Sequence, residues 1–225
     1  GEILALANIP TFNPNSRSKI TEASLIAHPI MSAFEPGSTF KVVGATALLE
    51  DNKVHPMDVF DCERGEYSIH GIDVKDWKSF DKLTFAEVLQ NSSNIGIIKA
   101  VELLDEKQMF NTARKFGFSE KSGIQFPYES SGSLKNNKLW SDLSKSEIAI
   151  GYEVSVTTLQ MAMAYSAIGN GGILMKPQLI QKLKTPKGHE QKIDRMDALR
   201  RVASEKTMHT MSDILEKAVS QGTGH

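Results

Sequence analysis

Between Phe40 and Leu49 only Lys41 and Thr46 are polar, so a helix through this stretch is apolar nearly all round and has to be buried. Pro36 and Gly37 break whatever precedes it, and the pattern predicts a helix from Ser38 to about Asp51. Lys41 is the anomaly. An ammonium group costs several kcal/mol to bury unless it is hydrogen-bonded, paired or stripped of its proton. Ser38 stands three positions earlier, on the same helix face and about 5–6 Å away. A lysine brought down from about 10.4 by burial can take the hydroxyl proton, and the helix N-terminus favours the negative charge that then develops. The expectation is nucleophilic catalysis, with Ser38 attacking and Lys41 as base. The spacing alone is a weak signal. Ser-x-x-Lys recurs as Ser16/Lys19 and Ser79/Lys82, which read as solvated surface pairs, and a plain helix start with a snorkelling lysine fits the same letters.

The rest of the chain can supply the core that such a helix needs. It has 225 residues, 40% hydrophobic and 24% charged, in keeping with one globular domain. Twenty-six basic against 27 acidic residues leave a net charge of −1, which speaks against nucleic acid or an anionic membrane surface as partner. No apolar run approaches the ~18–20 residues of a membrane span, and the first residues show no basic-then-apolar signal segment. The single Cys62, read as lying in a turn, excludes an internal disulfide and offers no metal-ligand spacing.

In chain order, residues 2 to 8 are apolar enough for a buried strand that stops at Pro10 and the loop Asn13-Pro14-Asn15. Thr21 to Ser32 reads as helical in part, broken at Pro29. Asn52 to Phe80 is polar and turn-rich, with a short strand pair near Tyr67–Val74. Trp77, beside Asp76, reads as an exposed-loop residue capping the core rather than as catalytic.

Thr84-Phe85-Ala86-Glu87 is a capping box for a short helix ending near Gln90. After Asn91-Ser92-Ser93-Asn94 a further helix carries Ile97, Ile98, Val101 and Leu104 at helical spacing. On its own, Ser92-Ser93-Asn94 reads as a helix cap. A third helix, Glu106 to Phe116, closes at Gly117, and Leu134 to Lys145 reads as a polar loop in which Trp140 packs. Thr157 and Gln160 form another capping box, for a helix ending before Gly169-Asn170-Gly171-Gly172. Leu179 to Ile193 reads as a hairpin turned at Pro186-Lys187-Gly188, and Glu205 to Val219 as an amphipathic helix burying Met208, Met211 and Leu215.

Several of these stretches together resemble one family. Glu35-Pro36-Gly37-Ser38-Thr39-Phe40-Lys41 resembles the active-site serine segment of penicillin-binding protein transpeptidases, its glutamate like the division-septum type. Gly1 to Ala7 with Phe12-Asn13-Pro14-Asn15 resembles the family's entry strand, the second arm of a hairpin, and its loop, and Gly151 to Gln160 another family segment. Ser-x-Asn some fifty residues after the nucleophile and between two helices, as at Ser92 and Asn94, matches as well. A Ser-x-x-Lys with two later motifs marks penicillin-binding proteins and class A β-lactamases.

The resemblance implies an α+β fold, a mostly antiparallel sheet packed between helical layers. Residues 1–225 would be part of one transpeptidase domain, lacking its first strand and its C-terminal strands. It also implies roles. Ser38 would attack the penultimate D-alanine carbonyl of a peptidoglycan stem peptide, with Lys41 as base, Ser92 as proton relay and Asn94 as the clamp on substrate backbone. The ester would pass to an amine of a neighbouring stem, and β-lactam antibiotics would trap the same serine. No metal or organic cofactor is implied. A membrane anchor upstream, the periplasmic or extracellular face, and cell-division membrane proteins as partners are further implications. Two departures stand out. Relatives carry glycine where Glu153 stands, and if that position needs a positive φ glutamate costs about 1–2 kcal/mol. The third motif, Lys-[Thr/Ser]-Gly, is matched only in letters by Lys121-Ser122-Gly123, while Gly222-Thr223-Gly224 resembles the stretch just before it. Its absence predicts weak or no acylation of these 225 residues alone. It also keeps open a non-catalytic scaffold, beside the in-class alternative of a serine β-lactamase or β-lactam sensor.

Overall fold

Residues 1–193 and 197–224 are described by the computed structural model, in which helices surround small groups of antiparallel strands. Two single-turn helices, α1 (Glu22–Leu25) and α2 (His28–Met31), come first. Pro29 does not break this segment. It occupies the first turn of α2, where its missing N–H leaves no bond unmade. The two-residue strand β1 (Ala33–Phe34) then runs into a 3-10 turn, Gly37–Phe40, and on into α3 (Lys41–Glu50).

As its composition requires, α3 is buried from Lys41 to Leu48. Its neighbours are α5 (Asn94–Val101), α6 (Glu106–Lys115), α7 (Ser144–Ala149) and α9 (Glu205–Ser220). Gly44 lets α5 come close, since a Cβ there would sit 2.9 Å from Val101 Cγ1. Phe40 stacks against Phe118 at 4.8 Å between ring centroids and ties the start of α3 to the end of the α6 segment. The capping boxes at Thr84 and Thr157 open α4 (Phe85–Gln90) and α8 (Thr158–Gly169) as expected. The helix α7 begins only at the end of the stretch read as a loop, Leu134 to Lys145, and is too short and too serine-rich to show a helical period.

Strand β7 (Val154–Thr157) lies between β1 and β6 (Ser133–Leu134), in register Phe34↔Val156 and Leu134↔Val154. The expected hairpins form as β3 (Glu66–Ile69) with β4 (Ile72–Lys75), and as β9 (Lys182–Lys184) with β10 (Glu190–Lys192). Two further pairs, β2 (Val59–Asp61) with β5 (Lys82–Thr84) and β8 (Ile173–Met175) with β11 (Ala198–Arg201), join segments too far apart to be matched by pattern. The expected α+β class with antiparallel pairing is borne out, although the largest sheet among the described residues has three strands. The strand expected over residues 2–8 does not form. Glu2 makes one isolated parallel bridge to Gln178, and Leu4 is 88% exposed. An apolar alternation becomes a strand only where a neighbour pairs along its length, and here the hydrogen bonds stop at Ile3.

The far end of α3 is fixed by a carboxylate. Glu50 accepts from Ser204 N and Ser204 Oγ, the latter at 2.7 Å, and from Thr207 Oγ1 at 2.6 Å, and so caps α9 where the helix dipole favours an anion. Burial alone would raise its pKa, but the hydrogen bonds from Thr207 and Ser204 outweigh burial and hold the carboxyl below its usual value. Glu50→Gln is therefore expected to lower Tm at pH 7 by ~2–6 °C, for a loss of about 1–1.5 kcal/mol. A depressed carboxylate stabilises above its unfolded pKa of about 4.3, and that contribution fades as pH falls through the folded value. The difference in Tm between the two proteins should shrink steadily as pH is lowered from 7 into the acid range; a gap that does not change with pH excludes this origin.

Candidate active site

Ser38, in the 3-10 turn, and Lys41, at the head of α3, stand one turn apart, and the Lys41 backbone N–H donates to the Ser38 carbonyl. Their side chains face opposite conditions. Ser38 is exposed, whereas Lys41 is 3% exposed, deeper than lysine is normally found without a charged partner in contact. The amine is satisfied by the turn ahead of α5. Nζ donates to Ser92 O at 2.5 Å and to Ser92 Oγ at 3.0 Å. Burial pushes its pKa from the ordinary 10.5 down to about 7, and the Asp76 carboxylate partly opposes that fall.

Among the described residues the Ser38 hydroxyl and the Lys41 amine, expected within reach of each other, form no hydrogen bond; both bonds of the amine go to Ser92. This partition suits a base. A neutral amine has two N–H groups and one lone pair. With both N–H groups held by Ser92, the lone pair is the part left to accept, and Ser38 is the hydroxyl one turn away. Catalytic hydrogen bonds of this kind commonly tighten only once substrate is in place.

Ser92 reaches Lys41 with both oxygens because its backbone is left-handed, at φ 55°. For a residue with a Cβ that conformation costs about 1–2 kcal/mol, and it persists only where the surroundings impose it. Ser93 is the cap read from the sequence: its Oγ accepts from Gly96 N at 2.9 Å. Asn94, the first residue of α5, donates from Nδ2 to Lys75 O at 3.0 Å, which turns its amide oxygen away from Lys75 and leaves it free to accept. The structure thus brings Lys41 and Ser92 into contact, with Ser38 and Asn94 as their immediate neighbours in the chain segments that meet there.

Three features of this region escape sequence reasoning. Gly151, at φ 87°, lies against the serine turn, where Gly37 N donates to its carbonyl at 3.2 Å. The Tyr165 hydroxyl donates to Thr39 O at 3.1 Å and pins the same turn from α8. Asp76, rather than Trp77, is the consequential member of its pair. Trp77 is 64% exposed and does not cap the core; its indole N–H donates to Asn91 O at 2.7 Å. Only the charge of Asp76 was a signal, and it pointed to no partner.

Glu153 has φ 51°, so the glutamate does sit in the backbone region that favours glycine. Its carboxylate accepts from Ser144 Oγ at 2.7 Å, which offsets part of that cost. Burial, with Glu153 and Glu35 nearby, pushes the Glu147 carboxyl up. Ser122, of the Lys121-Ser122-Gly123 copy, has its backbone N–H on Glu129 Oε1 at 2.6 Å and makes no described hydrogen bond to Ser38, Lys41 or Ser92. Cys62 is free and buried against Ser93. Among the described residues no three His, Cys, Asp or Glu side chains gather as metal ligands would, and no helix is long and apolar enough to cross a membrane.

Comparison with known proteins gives a consistent picture. The family described as "Penicillin binding protein transpeptidase domain" matches residues 1–225. The chain is 31% identical over 224 residues to the peptidoglycan D,D-transpeptidase FtsI of Escherichia coli K12, covering 100% of this chain and 36% of the relative. Stage V sporulation protein D of Bacillus subtilis is 33% identical over 229 residues, covering 100% and 35%. The chain thus spans about a third of the length of these relatives. Among solved structures, penicillin-binding protein 3 of Mycobacterium tuberculosis in complex with ampicillin superposes with a TM-score of 0.79 at 30% identity, over 86% of this chain and 43% of that one. The same protein has been solved with aztreonam.

Proposed function

Because the chain belongs to the penicillin-binding protein transpeptidase family, we propose that it is part of a serine D,D-transpeptidase domain that cross-links peptidoglycan stem peptides. The observation that carries this reading is the buried Lys41 amine, engaged by both oxygens of Ser92 one turn from an exposed serine. The Lys41 lone pair takes the Ser38 proton as Oγ bonds to the penultimate D-alanine carbonyl carbon. The bond to the terminal D-alanine nitrogen then breaks, and that nitrogen receives its proton through Ser92. Asn94 Oδ1 accepts from a substrate backbone N–H. An amine of a second stem attacks the ester and restores the Ser38 hydroxyl. A β-lactam presents its ring amide in place of the peptide, and the opened ring remains tethered and blocks the second amine.

Peptidoglycan lies outside the cytoplasmic membrane, so the same reading assigns the domain to that face. The glutamate before Pro36-Gly37 supports partners in the cell-division apparatus. Labelling with a fluorescent penicillin tests the central step. The full-length protein is expected to form a covalent adduct that maps to Ser38, and Ser38→Ala is expected to abolish it. An adduct that survives in the alanine variant assigns the chemistry elsewhere, and no adduct in the native protein removes it altogether.

A further inference from the structure

At the end of β4 one carboxylate serves a single turn of chain. Asp76 Oδ2 accepts from Ser93 Oγ at 2.6 Å, and Oδ1 accepts from Asn94 N at 2.5 Å and Ile95 N at 3.1 Å. Its neighbours hold the same turn: Lys75 O takes the Asn94 amide, and Trp77 Nε1 donates to Asn91 O. Three consecutive residues thus grip both sides of Ser92, whose left-handed backbone needs such restraint.

We propose that Asp76 is a positioning residue for acyl transfer, bracing the Ser92–Asn94 turn against Lys41 and Ser38 and placing a carboxylate charge on the turn that holds the amine. This rests on the reading of Ser38 as nucleophile. A plain helix cap would hold the turn equally well when neutral; the charge is what links Asp76 to Lys41. No other charged group is brought to bear on that amine among the described residues. Lys99 of α5 is turned to Glu63 at 2.6 Å, burial keeps the Cys62 thiol neutral behind Ser93, and Glu147 of α7 faces Glu153 and Glu35. Asp76 opposes the fall in the Lys41 pKa, so removing its charge should move the titration of Lys41 to lower pH.

The test measures penicillin acylation of the full-length protein against pH, together with the NMR titration of the Lys41 side chain. Displacing a reacting group by about 1 Å can cost on the order of 10²-fold, so D76N is expected to lower the plateau rate about ten- to a hundredfold. It is also expected to move both the acid limb and the Lys41 titration to lower pH. S93A removes one partner but keeps the charge, and should lower the plateau without moving the limb. D76E keeps the charge on a longer arm and should do the same, which covers the case of an unstable D76N. A D76N or D76E plateau within twofold of wild type overturns the bracing role. A D76N plateau loss with an unmoved Lys41 titration, or a limb that moves in D76E, overturns the electrostatic one. Failure of the wild-type protein itself to acylate would instead remove the nucleophile assignment.

Discussion

Lys41→Met is expected to make the domain harder to melt at pH 7 while removing its ability to be acylated. The amine titrates near 7 in the folded protein and near 10.4 when unfolded, so between those values the unfolded chain binds more protons. Stability conferred at this site therefore rises with pH from about 7 to 10.4, and the full cost of burying the charge is felt below 7. At 1.36 kcal/mol per unit, the cost near neutrality is roughly 4 kcal/mol. Methionine has similar reach and no charge, but it leaves Ser92 O and Oγ without their donor, at about 1–3 kcal/mol. The net gain should be about 1–3 kcal/mol, or ~2–12 °C in Tm, shrinking as the comparison is repeated toward pH 10. Loss of the base should slow acylation by about 10²–10⁴. A variant that melts lower at pH 7, or a gain indifferent to pH, would show that the amine is not held deprotonated by burial.

The second large effect concerns a residue that takes no part in the chemistry. A Cβ on Gly151 would sit 2.0 Å from Gly37 O and 2.6 Å from Gly37 C and N, all backbone atoms of the serine turn. Nothing flexible is available to yield. Gly151→Ala pays about 1–2 kcal/mol for its left-handed conformation and about 1–3 kcal/mol for the overlap. Relieving the overlap requires the turn bearing Ser38 to move by about an ångström, which should cost on the order of 10²-fold in acylation. Gly188 supplies the control, since it has φ 85° and a Cβ there would meet nothing within 4 Å. Gly188→Ala should lose some stability and acylate normally. Equal acylation by the Gly151 and Gly188 variants would mean that the contact does not govern the nucleophile.

These two glycines illustrate what could be read from the sequence alone. Local grammar was legible: the capping boxes at Thr84 and Thr157, the buried helix with its anomalous lysine, and the hairpin at Gly188 all depend on residues a few positions apart. The candidate site was legible at Ser38, Lys41, Ser92 and Asn94, because each stands in a short motif. Asp76 was not, because its partners lie 17 to 19 residues away and two of them are backbone N–H groups that carry no residue identity. Residues 2–8 mislead for the complementary reason: their pattern is local, but a strand depends on the neighbour that pairs with it.

The buried helix α3 is moored at both ends by partners distant in the chain. Its front is tied to Ser92, and its rear, through Glu50, to Ser204, 154 residues further on. The front mooring joins segments 51 residues apart and the rear mooring segments 154 residues apart, so the rear of the helix stays unmoored in a growing polypeptide until Ser204 has been added.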